Sequence, residues 1–112
     1  MSMFSPVVRC EVEQHGNYQK YEYFVYDVYG IGIIGYGVVY RRNGFAEIRV
    51  INVHRGYRGE GIGSLMLQKI VEDHSQETIC VKTFDSLVHW YERFGFKVVD
   101  PEALLLLRTS AV

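Results

Sequence analysis

The hydrophobic period of this chain changes across Asn52-Val53-His54-Arg55-Gly56-Tyr57-Arg58-Gly59-Glu60-Gly61-Ile62-Gly63-Ser64, and Gly59, Gly61 and Gly63 crowd the point of change. Upstream, Asn43-Gly44 lies between two apolar runs, the strongest short-range hairpin signal, so Ile31 to Arg42 and Phe45 to Val53 are expected as antiparallel strands. Downstream, from Gly61 to His74, Ile62, Leu65, Met66 and Ile70 recur at helical spacing, and Leu67 and Val71 follow it less cleanly. A strand therefore passes into a helix through a glycine-rich turn. Glycine allows positive φ and a close approach of backbone to ligand. The helix it opens offers unpaired N–H groups and the positive end of a dipole, which favour an anion. The expectation is a phosphate cradle of backbone amides, with charge from Arg58 and Arg55. One glycine would make a tight turn; three with flanking arginines exceed that need.

The familiar nucleotide loops do not fit. The spacing is G-x-G-x-G rather than G-x-G-x-x-G, and the acidic residue expected about twenty positions on has only Glu77 near it. No Gly-Lys-Ser/Thr follows, so a Walker loop is excluded.

The other elements come from the same rules. Pro6 to Gln14 alternates loosely, and Tyr18 to Val28 is rich in tyrosine and valine, which suits a pleated surface. His15-Gly16-Asn17 and Tyr29-Gly30 read as turns. Thr78 to Thr83 is a short strand, and Asp85 or Ser86 can cap a helix running to about Phe94 that Gly95 ends. Phe96 to Val99 and Ala103 to Arg108 complete an order β-β-β-β-α-β-α-β-β, an α+β sheet with one central β-α-β unit.

With 112 residues the chain is expected to be a single domain, residues 1–112. A net charge of −1 gives no global field for nucleic acid. No apolar run approaches a membrane span, and Met1 to Pro6 lacks a charged segment followed by an apolar one, so a soluble, cytoplasmic protein is expected. Cys10 and Cys80 form no ligand cluster and read as buried structural thiols. No pair of histidines has zinc-ligand spacing, so no metal is expected. His54 reads as a solvated loop residue, His89 as a partly buried helix residue, and His15 and His74 as turn and helix-end residues.

Arg58-x-x-Gly61-x-Gly63 resembles the R/Q-x-x-G-x-G/A signature of the GNAT N-acetyltransferases. Val53 stands where that family has the strand residue whose backbone pairs with pantetheine. Tyr91-Glu92-Arg93-Phe94-Gly95-Phe96 matches the family's Y-x-x-x-G-F, and Phe45-Ala46-Glu47-Ile48 resembles the start of its fourth strand. The similarity runs from Asn43 to about Val99. It implies the acyl-CoA N-acyltransferase fold: a mixed, mostly antiparallel sheet of six to seven strands around a central β-α-β cofactor unit, with two helices. It also implies acetyl-CoA as cofactor. The amides of Gly59, Glu60, Gly61, Ile62, Gly63 and Ser64 would hold its pyrophosphate. Pantetheine would pair near Asn52 and Val53, where the sheet splays between the strand ending at Val53 and the one starting near Ile79. Tyr91 would protonate the leaving thiolate. Glu47 would deprotonate the amine, unless it is simply paired with Arg49 on its own strand face.

Two departures from the family pattern bear on function. Asp85 stands where the family commonly has an asparagine that donates to pantetheine. Only a short turn separates Gln14 from Tyr18, so the two helices that usually wall the acceptor site have no room. An open acceptor side suits an exposed lysine or N-terminus on a partner protein, and the uncovered apolar sheet makes a homodimer plausible. Tyr18, Tyr21, Tyr23, Tyr26 and Tyr29 either line such a surface or simply cover the faces of a strand. The alternative to an enzyme is a reduced, non-catalytic module that binds CoA or a protein.

Overall fold

The structure is a computed structural model and describes residues 5–110. The expectations that fall on Met1 to Phe4 lie outside the described residues. Seven strands form one sheet in the order β1-β2-β3-β4-β5-β7-β6. They are β1 (Arg9–His15), β2 (Tyr18–Tyr26), β3 (Ile33–Arg42), β4 (Phe45–Val53), β5 (Thr78–Lys82), β6 (Lys97–Asp100) and β7 (Leu105–Arg108). Helix α1 spans Ile62–Asp73 and the short α2 spans Val88–Glu92. The expected order of elements and fold class hold. Among the described residues no helix is long and apolar enough to cross a membrane.

The first four strands are successive antiparallel hairpins, and only β4 and β5 run parallel. Asn43 and Gly44 turn between β3 and β4 with φ of 49° and 81°, the left-handed pair that a tight hairpin turn requires. Strand β3 starts two residues later than the sequence suggests. The Asp27 carboxylate accepts the N–H groups of Tyr29, Ile31 and Gly32 at 3.0, 3.1 and 3.1 Å, holding the segment before β3 as a loop. Asp100 likewise accepts from Glu102 and Ala103, both at 3.1 Å, so β7 begins at Leu105 rather than Ala103.

Both helices stand on the same face of the sheet. Met66, Leu67 and Ile70 of α1 are fully buried there against Tyr23, Val25, Val39 and Ile48. Each such side chain contributes about 1.5–3 kcal/mol relative to exposure. The helix comes this close because β3 carries Gly35 and Gly37: a Cβ at Gly35 would lie 2.8 Å from Met66 Sδ and 3.3 Å from Ile62 Cγ2. Leu65, expected on the apolar stripe, is instead 40% exposed, while the less regular Leu67 is buried. The buried stripe is centred on positions 62, 66, 67 and 70, so Leu65 falls beyond its edge.

On the opposite face no helix of the described residues packs. There β4 has one extra residue relative to β3, since Val38 pairs with Val50 and Val39 with Ile48. The bulge at Arg49 changes the alternation. Ala46 and Ile48 face the helices before it, and Ile51 and Val53 after it, so Glu47, Arg49 and Val50 all belong to the open face.

The C-terminal half holds a further correction. Asp85 caps nothing: the 3-10 turn Asp85–Leu87 and α2 have no side-chain cap. Backbone carbonyls satisfy these N–H groups instead, with Leu87 N–H donating to Phe84 O at 2.9 Å and Val88 N–H donating to Asp85 O.

Candidate functional site

Strands β4 and β5 pair from Phe45↔Thr78 to Ile48↔Val81 and no further, although β4 continues to Val53. The sheet is therefore parted beyond Ile48, and a cleft of about 720 Å³ occupies the gap. Ile51, Asn52 and Val53 form its strand side, Arg58 to Ser64 without Glu60 its loop and helix side, and Phe84, Leu87 and Trp90 its far wall, with Tyr57 at the edge. This is the splay expected at the end of the central strand.

The glycines divide their work. Gly59 and Gly61 have φ of 84° and 82°, and nothing lies within 4 Å of where their Cβ atoms would stand. They hold the chain in a conformation that costs other residues free energy, next to open space. Gly63 is different: its Cβ would lie 3.6 Å from both the Trp90 ring and Val53 Cγ2, so it lets the helix start slip between these side chains. The first helical bond of α1 is Leu65 N–H to Gly61 O at 3.1 Å. The N–H groups of Ile62, Gly63 and Ser64 precede it and make no bond within the helix. With the dipole of a 12-residue helix behind them, these amides fit an anion such as a pyrophosphate.

Arg58 lines the cleft with its guanidinium turned onto the strand end. Its Nε donates to Val53 O at 3.0 Å and its Nη2 reaches Asn52 Oδ1 at 3.5 Å. It ties loop to strand. His54 is an exposed loop residue, as expected, and its Nδ1 also accepts the Gly56 N–H at 3.1 Å, capping the 3-10 turn Arg55–Tyr57. Arg55, Glu60 and Asp85 are outside the cleft lining.

The aromatic wall was not singled out from the sequence. Trp90 Nε1 donates to Ser64 Oγ at 3.3 Å, joining α2 to the start of α1, and its ring meets Tyr91 edge-on with centroids 4.9 Å apart. Trp90, rather than Tyr91, forms the cleft surface. Tyr91 is 2% exposed and packs against Phe96. Burial pushes its phenol up to about 12, and among the described residues its hydroxyl has no hydrogen-bond partner. Phe84 is 74% exposed in this wall, a large apolar side chain left open beside the glycine loop.

Glu47 is brought to a second cavity, on the open face. This one also measures about 720 Å³ and is lined by Tyr18, Tyr40, Arg42, Asn43, Phe45, Glu47 and Cys80. Glu47 is paired with Arg49 at 3.2 Å. Cys80 is half-buried rather than part of the core, and burial, with Glu47 adding to it, raises its thiol pKa. Of the five tyrosines considered together, Tyr21 and Tyr23 face the helices and Tyr18 lines this cavity.

His74 is the hidden polar residue. It is fully buried, with Nε2 2.9 Å from the Tyr23 hydroxyl, which donates to Asp73 Oδ2 at 3.0 Å. Its Nδ1 stands 3.5 Å from Glu77 Oε1 without hydrogen-bond geometry. Burial lowers its pKa against the opposing pull of Glu77. His89, by contrast, is 97% exposed and pairs with Glu92 at 3.0 Å, because it lies on the outer side of a single helical turn.

Residues 19–98 match the acetyltransferase (GNAT) domain family. Serotonin N-acetyltransferase of Mesocricetus auratus is 33% identical over 63 residues, which is 53% of this chain and 30% of that protein. Among solved structures, an acetyltransferase of the GNAT family from Staphylococcus aureus Mu50 superposes with a TM-score of 0.66 at 20% identity, over 80% of this chain and 66% of that one. IAA acetyltransferase from Bacillus cereus gives 0.63 at 26% identity, over 72% and 57%. The chain thus spans about a third of the length of its curated relative and under two thirds of both structures.

Proposed function

Because the chain belongs to the acetyltransferase (GNAT) family, we propose that it moves the acetyl group of acetyl-CoA to a primary amine by direct attack, the acceptor being a lysine or N-terminus of a partner protein. One observation carries the proposal: the sheet parts between β4 and β5 where the unpaired amides of α1 meet open space. The amides of residues 59 to 64 hold the pyrophosphate, and the edge of β4 at Asn52 and Val53, left without a β5 partner but with its Val53 carbonyl held by Arg58, receives the pantetheine. Arg58 keeps loop and strand in register, and Arg55 adds charge from outside the lining. Bound acetyl-CoA supplies the activated carbonyl and the leaving thiolate.

Glu47 lies at the next-to-last paired position before the parting, on the open face. It accepts a proton from the acceptor ammonium, directly or through a water, since only the free amine can attack. Tyr91 is the proton donor to the thiolate in this reading. Burial pushes its phenol up to about 12, which keeps the proton in place but makes it a weaker acid, so the transfer needs the thiolate close at hand. An uncovered face beside Glu47 supports a protein acceptor, whereas the name of the hamster relative supports amine acetylation in general.

The test is thermal unfolding with and without saturating acetyl-CoA. At about a hundred times Kd the ligand adds about 2.7 kcal/mol, on the order of 10 °C for this size. The shift should vanish in Gly61→Trp, whose side chain fills the cradle. No shift in the folded wild type overturns the proposal. Tyr91→Phe should lower kcat roughly 100-fold with acetyl-CoA affinity unchanged; an unaltered kcat removes Tyr91 from the mechanism. The second reading, a CoA-binding module without turnover, is favoured by two observations: Arg49 already neutralises Glu47, and Trp90 rather than Tyr91 faces the cleft. Binding without acetylation of lysine peptides would select it.

A further inference from the structure

Strand β1 ends the sheet, so one of its edges has no neighbour among the described residues. Such an edge is a ready template for another strand, and proteins commonly blunt it with lysine, proline or a bulge. Strand β1 has none of these: its seven residues carry no lysine or proline, and they pair with β2 from Arg9↔Phe24 to His15↔Tyr18 without a register shift. The two-residue turn Gly16-Asn17 closes on the hydrogen-bonded pair His15↔Tyr18, which sets the alternation. Arg9, Glu11 and Glu13 therefore bond to β2, while Cys10, Val12 and Gln14 direct N–H and C=O outward. The side chains are unfinished in the same way. Glu11 stands opposite Glu22, a like-charge pair that destabilises, and Arg9 stands opposite Phe24. Both are exposed, and among the described residues neither joins an ion pair; those of β1 and β2 are Glu13–His15 and Lys20–Glu22. On the helix side Val8 and Cys10 pack against the core, but Val12 is 51% exposed.

We propose that β1 pairs antiparallel with β1 of a second copy of this chain, about a twofold axis at Cys10, so that the two sheets become one. In such a contact each residue pair forms twice. Centred on Val12, Glu11 would meet Glu13 of the second copy, with like charges opposed. Centred on Glu11, Arg9 would meet Glu13, but the two Glu11 carboxylates would face each other. Centred on Cys10, each Arg9 meets Glu11 of the second copy and each Val8 meets its Val12, with no like charges opposed. Arg9 and Glu11 then form the non-hydrogen-bonded pairs, whose side chains lie closest, and the guanidinium offsets the repulsion between Glu11 and Glu22. The axis runs normal to the sheet, so the helices of both copies share one side and the two open faces join on the other. One strand pair buries less than the roughly 1,600 Å² of a standard interface, so the association is weak and depends on concentration. The contact does not depend on the acetyltransferase reading, and its failure leaves that reading untouched.

The test is sedimentation velocity of the full chain from about 1 to 100 µM, a range that spans weak association. Wild type should pass from monomer towards dimer. Arg9→Glu and Glu11→Arg should each raise the dissociation constant at least about tenfold, because each sets like charges against each other twice. The double variant Arg9→Glu/Glu11→Arg restores the opposite charges and should dimerise again. Val12→Pro removes an outward N–H and no bond to β2, so it should stay monomeric with its far-ultraviolet circular dichroism unchanged. If that variant does not fold, the charge reversals at exposed positions decide alone. A wild type that is monomeric at about 100 µM overturns the pairing. A dimer that survives both single reversals places the contact elsewhere and overturns it too. Failure of the double variant to recover overturns the register centred on Cys10.

Discussion

The two faces of the sheet are built to opposite ends. On the helix face Tyr23, Val25, Val39, Ala46, Ile48, Ile79, Val81 and Leu106 are buried under α1 and α2. On the other, Tyr18, Tyr40, Phe45, Glu47, Arg49 and Val50 remain half-buried or exposed. Yet the same strands supply both faces, and β4 supplies residues to both cavities. Apolar burial, which holds the fold, is concentrated on one side, and the adaptable polar and aromatic contacts are left on the other. The parted edge of β4 is where the two sides meet.

The sharpest way to break this comparison is to truncate one residue on each face. Leu67→Ala, from a fully buried position, should cost about 2–5 kcal/mol. Phe45→Ala, 56% exposed on the open face, should stay within about 0.5 kcal/mol. Urea denaturation of both variants measures the difference. A large loss at Phe45 would mean that the open face is covered in solution, for which a second copy is the first candidate.

A smaller effect tests how tightly α1 lies on the sheet. Gly35→Ala puts a Cβ 2.8 Å from Met66 Sδ and 3.3 Å from Val25 Cβ. The Met66 end can shift, so the cost belongs at the low end of overpacking, about 1 kcal/mol. Combining it with Met66→Ala should give a total smaller than the sum of the two losses, because the clash and the cavity occupy the same space. Strict additivity would place the helix farther from β3 than it stands here.

Much of this architecture was legible because its signals are local. Asn43-Gly44 fixed the bounds of β4, since both residues must take positive φ in a tight hairpin turn. The change of period at Gly61 marked the start of α1, and the glycine loop marked the cleft. The missing parts depend on distant partners. Phe84, Leu87 and Trp90 recur at every third position of one segment and Tyr57 comes from another, but only the fold sets them against the glycine loop as a wall. The bulge at Arg49 leaves no glycine or turn residue in the sequence. His74 reads as an ordinary helix end, and its burial arises because Tyr21 and Tyr23 of β2 close over it, with ring centroids 4.5 and 6.4 Å away. Asp85 failed as a cap because backbone carbonyls had already met the N–H groups it would have served.

His74 gives the helix face a pH dependence that the open face lacks a buried group to match. Its folded pKa lies below the unfolded value of about 6.5 because burial disfavours the imidazolium. As pH falls below that value the unfolded chain binds the proton more readily than the folded one, so stability drops. Tyr21 and Tyr23 on β2, Asp73 and Glu77 around α1, and Arg41 on β3 are the charged or titratable groups facing it, and Glu77 works against the shift. The slope can reach at most about 1.4 kcal/mol per pH unit. Urea midpoints for wild type and His74→Gln between neutral and mildly acidic pH should diverge, with the variant flatter; parallel curves would assign the acid loss to other groups.

The smallest expected effect falls where the two faces join. Ser64→Ala removes the acceptor for the Trp90 indole N–H while leaving the backbone amide of residue 64 in the cradle. The bond is 3.3 Å and lies at a partly buried position, so its loss should cost about 1 kcal/mol or less. Trp90 is the single tryptophan of the chain, which makes its emission a direct report on this contact. If the bond fixes the cleft wall, Ser64→Ala should shift the emission and weaken acetyl-CoA binding about twofold to fivefold. Trp90→Phe should produce a similar loss of affinity, because it keeps a ring against Tyr91 and Phe94 but also lacks the donor. A Ser64→Ala variant with shifted emission and unchanged affinity would show that packing of the ring alone holds the wall. The cleft would then depend on the same apolar contacts as the rest of the helix face, and its polar tie would be incidental.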